Sequence, residues 1–174
     1  SGALKTAYVM SLVALLSGGM DSSLSRTGED ATGVTGRGVR DVALVAEAVQ
    51  EDSPAVDLLL SSSARRARLT GEIAAGILGL PSEKIVLEER LYGAEPEQLL
   101  YRIRELPSEI AHAMVVGHNP GMEELVNILS GSDGFHLTTS GAVSFRVHAD
   151  GWGGLSSETA ILGSLRGAKA LGGT

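Results

Sequence analysis

Four times along this 174-residue chain a short β-branched or leucine-rich run leads through a turn into a segment with apolar residues at helical spacing. The apolar run at 7–16 precedes a Gly/Ser/Thr stretch at 17–38, then a helical face of Val42, Val45, Ala46 and Val49. Val56-Asp57-Leu58-Leu59-Leu60 reads as a short buried strand, followed from Ala64 by a helix with Leu69, Ile73 and Ile77 in line and Gly79 placed to end it. Residues 85–88 form a third strand. Pro96, acceptable in a first helical turn, then opens a helix carrying Leu99 and Ile103, with Leu106 after them. Residues 113–117 and the helix of Met122, Leu125, Val126 and Leu129 complete the series, and strands at 142–147 and 160–165 finish the sheet. Strands alternating with helices imply right-handed crossovers. The expected fold is therefore a single three-layer α/β domain, its mostly parallel sheet flanked by helices. Residues 1–4 and 167–174 are expected as flexible ends.

Composition narrows the function classes. The chain has 14 Lys+Arg against 21 Asp+Glu, a formal charge of −7, so it lacks the basic footprint of a general nucleic-acid binder. Zero cysteines exclude thiol catalysis, Cys-ligated zinc and a disulfide scaffold. No apolar run reaches the roughly 18–20 residues of a membrane span, and the cytoplasm is the expected compartment. Glycine, at 23 residues, is near twice its average use of about 7% and implies many tight turns.

In sheets of this kind ligands bind where strand ends enter helices. Ser62-Ser63-Ala64-Arg65-Arg66-Ala67-Arg68 passes straight from strand to helix, so free helix N–H groups and guanidinium charge converge on one anion-sized place. Neighbours on a helix lie about 100° apart, so one of the three arginines is expected to face inward. Val115-Val116-Gly117-His118-Asn119-Pro120-Gly121 puts His118 at the tip of a buried strand, able to donate to a phosphoryl oxygen or move a proton. Glu88 and Glu89 end the third strand, and either could protonate a leaving group if burial raised its pKa. His112, His136 and His148 are scattered without ligand spacing and are expected to be structural or exposed, not a metal site.

Taken together and in order, these segments resemble the histidine phosphatase superfamily, most closely its small SixA-like phosphohistidine phosphatase branch. The likeness runs over about residues 5–166 and includes Thr35-Gly36-Arg37-Gly38, Leu80-Pro81-Ser82-Glu83-Lys84 and Ser140-Gly141-Ala142-Val143. It implies that Arg66 is the phosphate-binding arginine, that His118 is the second active-site histidine, and that Glu89 lies where many relatives keep a proton-donating acid. Leu69 stands where the family usually has Gln. The largest departure is at the first strand, where the family carries Arg-His-Gly or Arg-His-Ala and this chain has Ser11-Leu12-Val13-Ala14. Leu12 has no lone pair with which to attack phosphorus.

The resemblance therefore implies phosphoryl removal from phosphohistidine or a phosphomonoester, impaired or absent because Leu12 replaces the nucleophile. A non-catalytic pseudo-phosphatase that binds a phosphorylated protein or small phosphomonoester is the alternative. A third reading comes from Ser17-Gly18-Gly19-Met20-Asp21-Ser22-Ser23, which looks like the phosphate loop of ATP pyrophosphatases. That loop should open an apolar helix, and residues 24–38 have almost no apolar face. No cofactor, metal, nucleic acid or membrane is expected.

Overall fold

The computed structural model describes residues 5–12, 36–52, 55–138 and 140–172, with only the backbone at 8–12. The strands are β1 (Lys5–Leu12), β2 (Leu58–Ser62), β3 (Ile85–Glu88), β4 (His112–His118), β5 (Ala142–Val147) and β6 (Ala160–Arg166). They form one sheet in the order β3-β2-β4-β1-β5-β6. The first four strands run parallel; β5 pairs antiparallel with β1, and β6 pairs antiparallel with β5.

Helices α1 (Gly36–Asp52) and α2 (Arg65–Leu78) cover one face, and α3 (Pro96–Arg104) and α4 (Gly121–Ser130) the other. The central strands alternate between the two cores. Leu59, Met114 and Val116 pack toward α1 and α2, whereas Leu60, Ala113 and Val115 pack toward α3 and α4. The α4 face named from the sequence is fully buried at Met122, Leu125, Val126 and Leu129. Each such side chain contributes roughly 1.5–3 kcal/mol by leaving water, against at most about 1 kcal/mol for a surface ion pair. Apolar burial thus sets where α4 lies.

Helix α2 departs from the sequence reading. Its buried residues are Ala67, Thr70, Gly71, Ala74 and Ala75, while Leu69, Ile73 and Ile77 are only partly covered. The small residues let the helix approach β2 closely: a Cβ on Gly71 would lie 3.1 Å from Leu59 Cδ2. The expected terminator is in place, with Gly79 in the left-handed region at φ 68°. Within 167–174, residues 168–171 form a 3-10 turn, and its Ala168 is buried in the core formed with α1 and α2.

The amino-terminal end of the parallel strands is closed by side chains bonded to backbone. Lys5 Nζ donates to the carbonyls of Ser108 and Ile110. Asp57 Oδ2 accepts the backbone N–H groups of Ala111 at 2.9 Å and His112 at 2.8 Å. Trp152 Nε1 donates to the Ile110 carbonyl at 2.7 Å.

Candidate functional site

At the other end of the sheet, β1, β2 and β4 finish side by side. Their register pairs Ser11 with Gly117 and Leu12 with His118, so the position where the resemblance expects a nucleophilic histidine lies next to His118 on the neighbouring central strand. The arginine expected to face inward is Arg66: it is half-buried, whereas Arg65 and Arg68 are exposed. Arg68 turns along the helix to Glu72 at 2.8 Å, an ordinary surface pair four residues apart. Arg66 makes no ion pair or hydrogen bond among the described residues, yet its charge acts on the His118 ring. Helix α2 begins at Arg65 with no side-chain cap hydrogen bond at Ala64 and no acidic residue in its first turn, so no carboxylate of that turn offsets its positive end.

His118 is held on two sides. Its Nε2 lies 3.0 Å from the Ser62 Oγ, and the same oxygen accepts the Ala64 backbone N–H at 3.3 Å. The Tyr92 ring meets the imidazole edge-on, with centroids 5.8 Å apart and planes at 74°. Burial first, and the Arg66 charge second, hold the His118 pKa below its ordinary value. A neutral imidazole beside a guanidinium can bind an anion through hydrogen bonding and charge together.

Ser62 and Tyr92 carry roles that sequence reasoning left unassigned. Ser62 is one of three consecutive serines, and only the pairing of β2 with β4 selects it. At 0% exposure it cannot itself meet a substrate, so its chemistry passes through His118.

Glu88 behaves differently from the raised-pKa acid considered above. Glu88 accepts from Arg90 Nε at 3.0 Å and from Arg102 Nε at 2.9 Å. Arg90 first, then Arg102, holds its carboxyl below the usual range, which makes it a poor proton donor. Glu89 starts an exposed 3-10 turn, and no hydrogen bond or ion pair joins it to His118 or Arg66. His112 lies at the opposite end of β4, His136 is 88% exposed and 3.7 Å from Glu123, and His148 is exposed. The motif at 17–23 lies outside the described residues.

The turn after β4 fits closely against its surroundings. A Cβ on Gly117 would fall 2.7 Å from Met122 Sδ, so its bareness seats α4 on β4. A Cβ on Gly121 would fall 2.3 Å from the Ala94 carbonyl oxygen, a backbone atom that cannot step aside. The segment 135–138 is fastened to the same turn and helix. Asn119 Nδ2 donates to the Leu137 carbonyl at 3.1 Å, and Glu123 Oε2 accepts the Leu137 N–H at 2.8 Å. The Asn127 amide both accepts from and donates to the Phe135 backbone, at 2.8 and 3.3 Å.

Comparison with known proteins places this architecture. No family model matches the chain. An uncharacterized protein of Mycobacterium tuberculosis is 33% identical over 111 residues, 64% of this chain and 65% of that protein. One from Mycobacterium leprae is 31% identical over 96 residues, 55% of this chain and 56% of that protein. The chain thus spans less than two thirds of the curated relatives it matches. Among solved structures, the protein histidine phosphatase SixA complexed with tungstate superposes with a TM-score of 0.72 and 19% identity, covering 95% of this chain and 99% of that one. A candidate phosphohistidine phosphatase SixA from Nakamurella multipartitia gives 0.71 and 20%, covering 94% and 95%. Phosphoglycerate mutase from Plasmodium falciparum gives 0.58 and 10%, covering 92% and 90%. The chain has the fold shared by these proteins.

Proposed function

We propose that this chain belongs to the histidine phosphatase superfamily and binds a phosphoryl group, on phosphohistidine or another phosphomonoester, without appreciable turnover. The observation that carries this reading is the register of the central strands, which pairs Leu12 with His118, while Arg66, without an ion pair among the described residues, acts on the same histidine. Tungstate in the structurally similar SixA is a tetrahedral oxyanion, and the half-buried Arg66 guanidinium suits two oxygens of such a group. The positive N-terminal end of α2 and the neutral His118 add to that attraction.

Turnover by the covalent route would require a nucleophile on the β1 side to take the phosphoryl group and then release it to water. Leucine cannot form that bond, and general acid help of about 10²–10⁴-fold does not replace it. A phosphorylated protein or small phosphomonoester is accordingly a bound partner rather than a consumed substrate.

The test restores what is missing. The double change Ser11→Arg, Leu12→His should yield a trappable phosphohistidine intermediate and turnover of a phosphomonoester, while the unaltered chain yields neither. A phosphohistidine intermediate in the unaltered chain, or turnover there that His118→Ala abolishes, would overturn the reading.

A further inference from the structure

We propose that the Ser62 hydroxyl fixes His118 in the Nδ1–H tautomer, making Nδ1 the donor that the ring offers to a phosphoryl oxygen. Its ligand clause rests on the function proposed above; the tautomer itself rests on geometry.

A hydroxyl has one proton to give and two lone pairs to receive. At Ser62 the Ala64 N–H occupies one lone pair, at 3.3 Å, and His118 Nε2 lies at 3.0 Å. Were the ring to donate from Nε2, both contacts of Ser62 would be donors to it, and its own proton would have no acceptor among the described residues. Ser62 is 0% exposed, so bulk water does not offer one. When Ser62 instead donates to Nε2, its own proton and both of its contacts are satisfied, and only the Nδ1–H is left for a ligand. A neutral imidazole that accepts at Nε2 carries its proton at Nδ1.

The surroundings support the same form. Nδ1 of His118 has no hydrogen-bond partner among the described residues, so it is the ring atom left for a ligand. Arg66 acts against a second positive charge on the ring, and burial does the same, so the imidazole stays neutral. The edge contact with Tyr92 restrains the ring plane. Ser62 is therefore a positioning residue: it touches no ligand, but it decides which nitrogen of His118 does.

An unconstrained histidine side chain in water favours the Nε2–H form, so the inference has a spectroscopic signature. With ring-labelled histidine in the full chain, well above the ordinary histidine pKa, a two-bond proton–nitrogen correlation spectrum should show a protonated Nδ1 and an unprotonated Nε2 for His118. The His118→Ala spectrum assigns the signals. Ser62→Ala should move His118 toward Nε2–H and weaken tungstate binding roughly tenfold, whereas Ser62→Thr keeps the hydroxyl and should keep Nδ1–H.

An Nε2–H ring in the unaltered chain, or a Ser62→Ala ring unchanged from it, overturns the inference. If Ser62→Ala does not fold, the unaltered chain and Ser62→Thr decide it. An Nδ1–H ring in a chain that binds no tungstate would keep the positioning role and overturn the phosphoryl-binding reading instead.

Discussion

The two ends of the parallel strands use similar residues to opposite purposes. Strand β4 carries a histidine at each end, His112 at the start and His118 at the tip. Around His112, side chains are occupied in closing the backbone: Asp57 takes two N–H groups and lies 3.6 Å from His112 Nδ1, and Lys5 and Trp152 serve nearby carbonyls. Around His118, by contrast, Arg66 has no ion pair or hydrogen bond among the described residues, and α2 begins without a side-chain cap hydrogen bond at Ala64. Residue type does not separate the two histidines; strand direction does. The carboxyl ends of parallel strands feed helix starts, whose positive ends gather there, while the opposite ends have no such field.

The contrast can be broken most directly by anion affinity. Arg66→Ala should lower tungstate or phosphate affinity roughly ten- to hundredfold, the loss of a charge-assisted contact worth about 1.5–3 kcal/mol. His112→Ala should leave that affinity unchanged in the same calorimetric titration. Equal losses in both variants would erase the distinction between the ends.

A smaller effect sharpens it through pH. Because the folded chain holds the His118 pKa below its ordinary value, the unfolded chain binds more protons in the window running down from about 6.5. His118 therefore makes stability rise with pH across that window and fall on acidification through the lowered folded pKa. Urea unfolding at several pH values should show a shallower slope in His118→Ala. In Arg66→Ala the slope should shrink but persist, because burial, the larger cause, remains. An unchanged slope in His118→Ala would remove the titration from this residue.

The smallest expected effect lies two positions along α2 from Arg66. Arg68→Ala breaks only the exposed pair with Glu72 and should cost about 0.3–0.5 kcal/mol in stability, with anion affinity intact. A loss of affinity matching that of Arg66→Ala would mean diffuse surface charge rather than one aimed guanidinium.

Much of the fold was legible because hydrophobic period is a local property. The faces of α1 and α4 needed only the spacing of their own residues. Helix α2 misled for a physical reason: its large residues mark a helical stripe, but contact with β2 goes to the small residues that permit close approach. In the site, His118 could be read from its place at a strand tip, and Arg66 from a strand-to-helix turn and the family resemblance. Ser62 could not be told from Ser61 or Ser63, since choosing among them requires the register between β2 and β4. The state of Glu88 was hidden as well, because one of its partners, Arg102, arrives from α3, fourteen positions along the chain.

The Asn127 side chain, which meets both backbone groups of Phe135, behaves as a detached peptide unit: a helix residue supplies to this segment the pair of bonds that one link of a sheet ladder would make. Segment 135–138 is thereby mechanically one piece with α4, and Asn119, the neighbour of His118, is tied to that piece through Leu137. Under the proposed function, an anion bound beside His118 would meet a turn tied to a helix anchored by four buried apolar side chains rather than a yielding loop. That turn would be set before the anion arrives, and binding would not spend ordering entropy there.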